Sequence, residues 1–149
     1  MIDNIKTVMG LWHNGFIDDD IVIKWADRII IEIIEYNENI NLLSLYGPLY
    51  CSKLPNYEFP SARKFTYEET LALKFHFLDI DNKFDRINFV KWIMQNCMGE
   101  SLSNPLVMFG YMLEDCSNLE KADLCFLEQI MPLYDELTFI SDNILNVII

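Results

Sequence analysis

The sequence predicts an all-α fold, a compact bundle of six to eight helices in a single domain spanning residues 1–149. Three observations predict it. Helix caps and stops recur along nearly the whole chain. Apolar residues return every three or four positions instead of alternating. The third observation is bulk. A chain of 149 residues with 52% apolar content, including ten Phe, seven Tyr and three Trp, can bury a real core and is too hydrophobic for disorder. One stretch departs from the helical pattern, an irregular Pro- and Tyr-containing segment at about 37–65.

Taken in order, Asp3 is placed to cap a first helix whose apolar face is Ile5, Val8, Met9 and Trp12. Asn14-Gly15 ends it, since glycine takes the left-handed conformation without strain. Asp18-Asp19-Asp20 opens the second helix, where carboxylates suit the positive end of the macrodipole. Residues 21–36 are so rich in Ile that a strand is the rival. The polar residues Lys24, Asp27, Arg28, Glu32 and Glu35 decide for helix, because they recur at three and four. Apolar residues cover the remaining arc, including Val22, Trp25, Ile29, Ile33 and Tyr36. An arc that wide predicts a central helix packed on more than one side.

In the segment 37–65, Asn37, Asn39 and Asn41 interrupt the period, and Gly47-Pro48, Pro55 and Pro60 punctuate it. A short helix at 40–46 is expected there. Thr66-Tyr67-Glu68-Glu69 is a capping box. Its helix is expected to run to about Ile80 with Leu71, Phe75 and Leu78 on one face. Asp85 is expected to start the next, through Ile87, Val90 and Ile93 to Gly99. Asn104-Pro105 predicts a helix to about Asp115. Ser117-Asn118-Leu119-Glu120 reads as a second capping box. It opens a long helix with Ala122, Phe126 and Ile130, kinked or ended near Pro132. Asp142 is expected to cap a short apolar C-terminal segment.

Charge is the most informative property of the chain. Its net charge is −12, and residues 99–149 hold nine carboxylates against a single base, Lys121. Such a field repels phosphates, so nucleic-acid binding is not expected. Like charges on one surface repel each other, and a chain that keeps them can use them to attract a basic partner. No secretory pattern opens the sequence. The apolar run at 29–34 is broken by Glu32 and too short to span a bilayer, so no membrane association and a soluble, cytoplasmic protein are expected. Cys51, Cys97, Cys116 and Cys125 form no C-x-x-C pair and read as reduced, mostly buried thiols.

Candidate chemistry is sparse. Residues 79–89 look like a calcium loop between two helices, but Lys83 falls at a ligand position, Phe84 where glycine is needed and Val90 where the bidentate Glu belongs. That stretch reads as a helix–helix turn. His13 and His76 are the only imidazoles, and each reads first as structural. No cofactor and no metal site are expected, and the chain does not read as an enzyme. A small hydrolase using His13 or His76 remains the least favoured alternative. Tyr46, Tyr50, Tyr57 and Phe59 lie in the irregular segment, which is expected to fold over the bundle and bury them. If exposed, the tyrosines would serve as interface anchors.

One stretch carries a resemblance: Leu11-Trp12-His13-Asn14-Gly15-Phe16-Ile17, then Asp18-Asp19-Asp20, then Val22 and Trp25-Ala26-Asp27. About 20 residues of the 149 are similar to a pattern near the N-terminus of small helical bacterial immunity proteins. These accompany polymorphic toxins, including those of contact-dependent inhibition systems. The resemblance implies a small cytosolic antitoxin that binds and neutralises a cognate, basic toxin domain, often a nuclease. It carries over no functional residue. The acidic helices of 114–136 are where contact is expected, through Glu114, Asp115, Glu120, Asp123, Asp135 and Glu136, joined by Tyr46, Tyr50 and Tyr57. A regulatory or scaffold module with an endogenous partner is the alternative.

Overall fold

Residues 1–96 and 118–149 are described by the computed structural model, and every regular element among them is helical. By contacts they divide into two units, Met1–Lys64 with Ile144–Ile149, and Phe65–Asn143. Among the described residues, no helix is long and apolar enough to cross a membrane.

The first unit begins with α1 (Ile2–His13). Met1 precedes it without a side-chain cap, so Asp3 is not the cap expected of it. Asp3 lies inside the first turn, where its carbonyl accepts a hydrogen bond from Thr7 Oγ1 (2.9 Å). Ile5, Val8, Met9 and Leu11 are buried. Leu11 takes the place expected of Trp12, whose indole stays at the surface and donates to Asp19 Oδ1 (2.6 Å). The helix ends as expected at Gly15, with φ of 78°. Phe16 N donates to Leu11 O (2.9 Å) and Gly15 N to Trp12 O (3.0 Å), which closes a Schellman motif.

Asp18 caps α2 (Asp19–Glu32) by accepting from Ile21 N (3.0 Å). Val22, Trp25 and Ala26 are buried, and Trp25 Nε1 donates to the Val147 carbonyl (2.9 Å). The expectation of a central helix reaching Tyr36 is corrected. The helix stops at Glu32, Ile33 is extended, and Ile30, Ile31, Ile34 and Tyr36 are exposed. The physical reason is local. A run of β-branched side chains weakens the helix end, and Asn37 starts another helix by accepting from Ile40 N (3.1 Å).

That helix, α3 (Glu38–Ser52), is longer than the short helix expected at 40–46. It continues because Gly47 breaks it without ending it. Gly47 sits at φ 80°, ψ 172°, and Pro48 opens the second helical piece, where no backbone N–H is needed. A methyl group at Gly47 would meet only Ile23 Cδ1, at 3.7 Å, so space is not the constraint. The backbone angle is. Gly47→Ala is expected to cost about 1–3 kcal/mol, read as a lowered urea midpoint, because this region is essentially closed to L side chains. A neutral substitution would show that the kink can relax.

α1, α2 and α3 pack on one another, and the 3-10 turn Asn146–Ile148 packs on α1. After α3 the chain turns at Pro55, buries Phe59 and runs extended, held to α1 where Arg63 N donates to Lys6 O (2.9 Å). Cys51 is buried, and burial pushes its thiol up to about 11.

The second unit opens with α4 (Tyr67–His76), shorter than the expected run to Ile80. Its predicted capping box is present: Thr66 Oγ1 accepts from Glu69 N and Glu69 accepts from Thr66 N. α5 (Lys83–Asn96) is capped by Asn82, not Asp85, since Asn82 Oδ1 accepts from Phe84 N (2.9 Å) and Asp85 N (3.2 Å). Asp79 Oδ1 accepts from Asp81 N, so the calcium-like stretch works as a turn. The helix expected from Asn104-Pro105, and with it Glu114 and Asp115, lies outside the described residues.

α6 (Leu119–Cys125) is capped by Asn118, which accepts from Lys121 N (2.8 Å). Ser117, read as the cap of this helix, lies outside the described residues. Near Pro132 the chain neither simply kinks nor ends. It passes through a π turn (Phe126–Ile130) and a 3-10 turn (Met131–Leu133) into α7 (Tyr134–Leu145). Pro132 explains this, because it has no N–H to give and its ring displaces the carbonyl four residues back. Asp142 lies within α7 and is no cap. Leu71, Phe75, Phe89, Ile93, Phe126 and Leu137 centre the core of this unit.

Candidate protein-binding surfaces

The acids predicted to meet a partner occupy different environments. Asp123 lies between α6 and α5. Its oxygens accept from Arg86 Nε (2.6 Å) and Nη2 (3.1 Å), and Arg86 Nη1 donates to the Ile80 carbonyl (2.9 Å). The Asp123 side chain is only 13% exposed. The hydrogen bonds and charge of Arg86 hold its carboxyl below the usual carboxylate range. Asp123, named above among the expected contact residues, therefore has a structural role in this unit. Glu120 is 81% exposed and accepts from Lys83 Nζ (2.7 Å), which raises the lysine above its ordinary value. That pair is neutral as a unit.

Asp135 and Glu136 stand differently. Both are exposed in the first turn of α7, at the favourable end of its dipole. Phe139, four and three residues on, is 67% exposed, and Asp142 follows three later, also exposed. At helical spacing these four form one stripe, while Leu137, Ser141, Ile144 and Leu145 are buried. The sequence reading missed Phe139. Its spacing from the two acids was the available signal.

In the first unit the tyrosines overturn the expectation of burial. Tyr46, Tyr50 and Tyr57 are exposed, and only Phe59 is buried. Tyr46 and Tyr50 lie one turn apart with ring centroids at 4.7 Å, beside exposed Leu45 and Leu49. The kink at Gly47 lies within this group. His13 and His76 are both exposed, and His76 sits edge-on to Phe77 at 4.9 Å. Among the described residues, no three His, Cys, Asp or Glu side chains gather where they could hold a metal ion.

No protein-family model matches the chain, and neither curated proteins nor solved structures give a significant match.

Proposed function

We propose that the protein is an immunity protein that binds and neutralises a basic toxin domain through the acidic surface of its second unit. The support is electrostatic. Residues 65–143 hold fourteen acids against five bases, so most of the net charge of −12 belongs to this unit. Part of that charge is committed internally, at Asp123 and in the Glu120–Lys83 pair. Asp135, Glu136 and Asp142 on α7 remain outward, with Phe139 among them as an apolar anchor. Complementary fields of this kind act mainly on the association rate.

The test is co-expression with the product of the preceding open reading frame, where a cognate toxin would be encoded. A stable complex that weakens with salt is expected. Reversing Asp135 and Glu136 to lysine should slow association by about tenfold or more at low salt and change dissociation less. A complex indifferent to both salt and reversal would remove the electrostatic form of the proposal. Failure to form any complex would remove the toxin.

A further inference from the structure

At the tip of α2 and in the turn that follows it, several large apolar side chains are exposed. Ile31 is 84% exposed, Ile34 fully, and Tyr36 81%, with Ile30 also exposed beside them. A groove of about 250 Å³ runs next to them, lined by Ile30, Ile33, Ile34, Tyr36 and Ile40 among others. The reversal is made by extended Ile33 and the Asn37 cap, and it leaves Ile31 and Ile34 uncovered. Isolated exposed apolar side chains are ordinary, but a contiguous group with a polar rim marks an interaction site.

The rim identifies the occupant. Glu35 lines the groove, and Glu32 and Glu38, close to it in the chain, are exposed as well. Arg28 approaches Glu32 at 3.9 Å, and no Lys or Arg occurs between Arg28 and Lys53. We infer that this tip is a docking surface for a basic amphipathic segment of a partner protein, one that places apolar side chains against Ile31 and Ile34 and Lys or Arg against the three glutamates. A second copy of this chain would set carboxylates against carboxylates across a two-fold axis. Anionic lipid and nucleic acid meet the same repulsion. The inference uses only this surface and stands apart from the toxin reading.

The probe is a labelled synthetic helix of Leu and Lys in amphipathic order, with binding followed by anisotropy. Its Leu–Glu counterpart should not bind. Ile31→Ser with Ile34→Ser keeps the net charge and is expected to weaken binding by about tenfold or more. Glu32→Gln, Glu35→Gln and Glu38→Gln together keep the apolar group, and should weaken binding and flatten its salt dependence. Glu58→Gln with Glu128→Gln removes two exposed charges elsewhere and should change affinity by no more than about twofold. All these side chains are exposed, and unchanged helical circular dichroism would show that the variants fold. Wild-type affinity in the serine variant would overturn the inference, because the peptide would then be held by net charge alone. So would equal binding of the Leu–Glu helix. Concentration-dependent dimerisation abolished by Ile34→Ser would overturn it in favour of a second copy.

Discussion

Replacing Phe126 by alanine is expected to lower the unfolding free energy by about 3–5 kcal/mol. The side chain is fully buried at the join between α6 and the π turn. Its ring centroid lies 5.9 Å from Phe89, edge to face, and 6.3 Å from Phe75, nearly parallel. Phe75 in turn meets Phe89 at 6.1 Å and Tyr134 at 5.7 Å, so the rings form one connected set. Truncation removes the transfer term and two aromatic pairs, each about 0.5–1.5 kcal/mol beyond area. The neighbours belong to α4 and α5 and cannot easily collapse into the void. Urea unfolding measures the loss. Phe126→Leu should recover much of it. An alanine variant within about 1 kcal/mol of wild type would mean the cluster repacks, and that Phe126 is not its centre.

Phe126 was legible in the sequence, and the reason is instructive. Its helical spacing from Ala122 and Ile130 reports burial directly, because the period is a property of one helix. The same holds for Gly15 and for Thr66 with Glu69, where the signal lies within four residues. α2 packs on both α1 and α3 as expected. Residues 30–36 depart from the reading because an apolar arc reports how many apolar side chains a segment carries, not which of them a neighbour covers. Whether Ile31 and Ile34 are covered depends on tertiary packing, which no local pattern encodes. The site suffers the same limit. The acidic character of the second unit could be counted from the chain. The division of those acids into committed and outward groups could not, because Arg86 is 37 residues from Asp123 and Lys83 is 37 from Glu120. The tyrosines were misjudged for a related reason. Gly47-Pro48 reads as a break, whereas one residue at positive φ allows helix to continue on both sides.

Asp123→Asn is expected to destabilise the second unit at neutral pH and to matter progressively less in acid. The sign follows from the direction of the shift. The folded-state carboxyl is held below its ordinary value by the Arg86 hydrogen bonds and charge. A depressed carboxyl contributes stability above its unfolded value, about 3.9, and loses it as pH falls through the folded value. Wild type and variant should therefore differ most from about pH 5 upward and converge below about pH 4. Asparagine cannot supply two anionic acceptors to Arg86 Nε and Nη2, and it removes the carboxylate hydrogen-bonded to the guanidinium, leaving the weaker influence of Asp81. Arg86→Lys should fail to rescue, since a point charge cannot serve both carboxylate oxygens and the Ile80 carbonyl as the planar fork does. A double-mutant cycle between Arg86 and Asp123 should return strong coupling. Asp135→Asn and Glu136→Gln, by contrast, should leave the melting temperature nearly unchanged. This separates two roles that composition alone merges. If Asp123→Asn leaves the melting temperature unchanged at neutral pH while slowing association with a basic partner, the carboxylate belongs to the binding surface and its internal ion pair is incidental. If stability falls and association is unaffected once folding is restored, Asp123 serves the architecture that holds the outward acids in place.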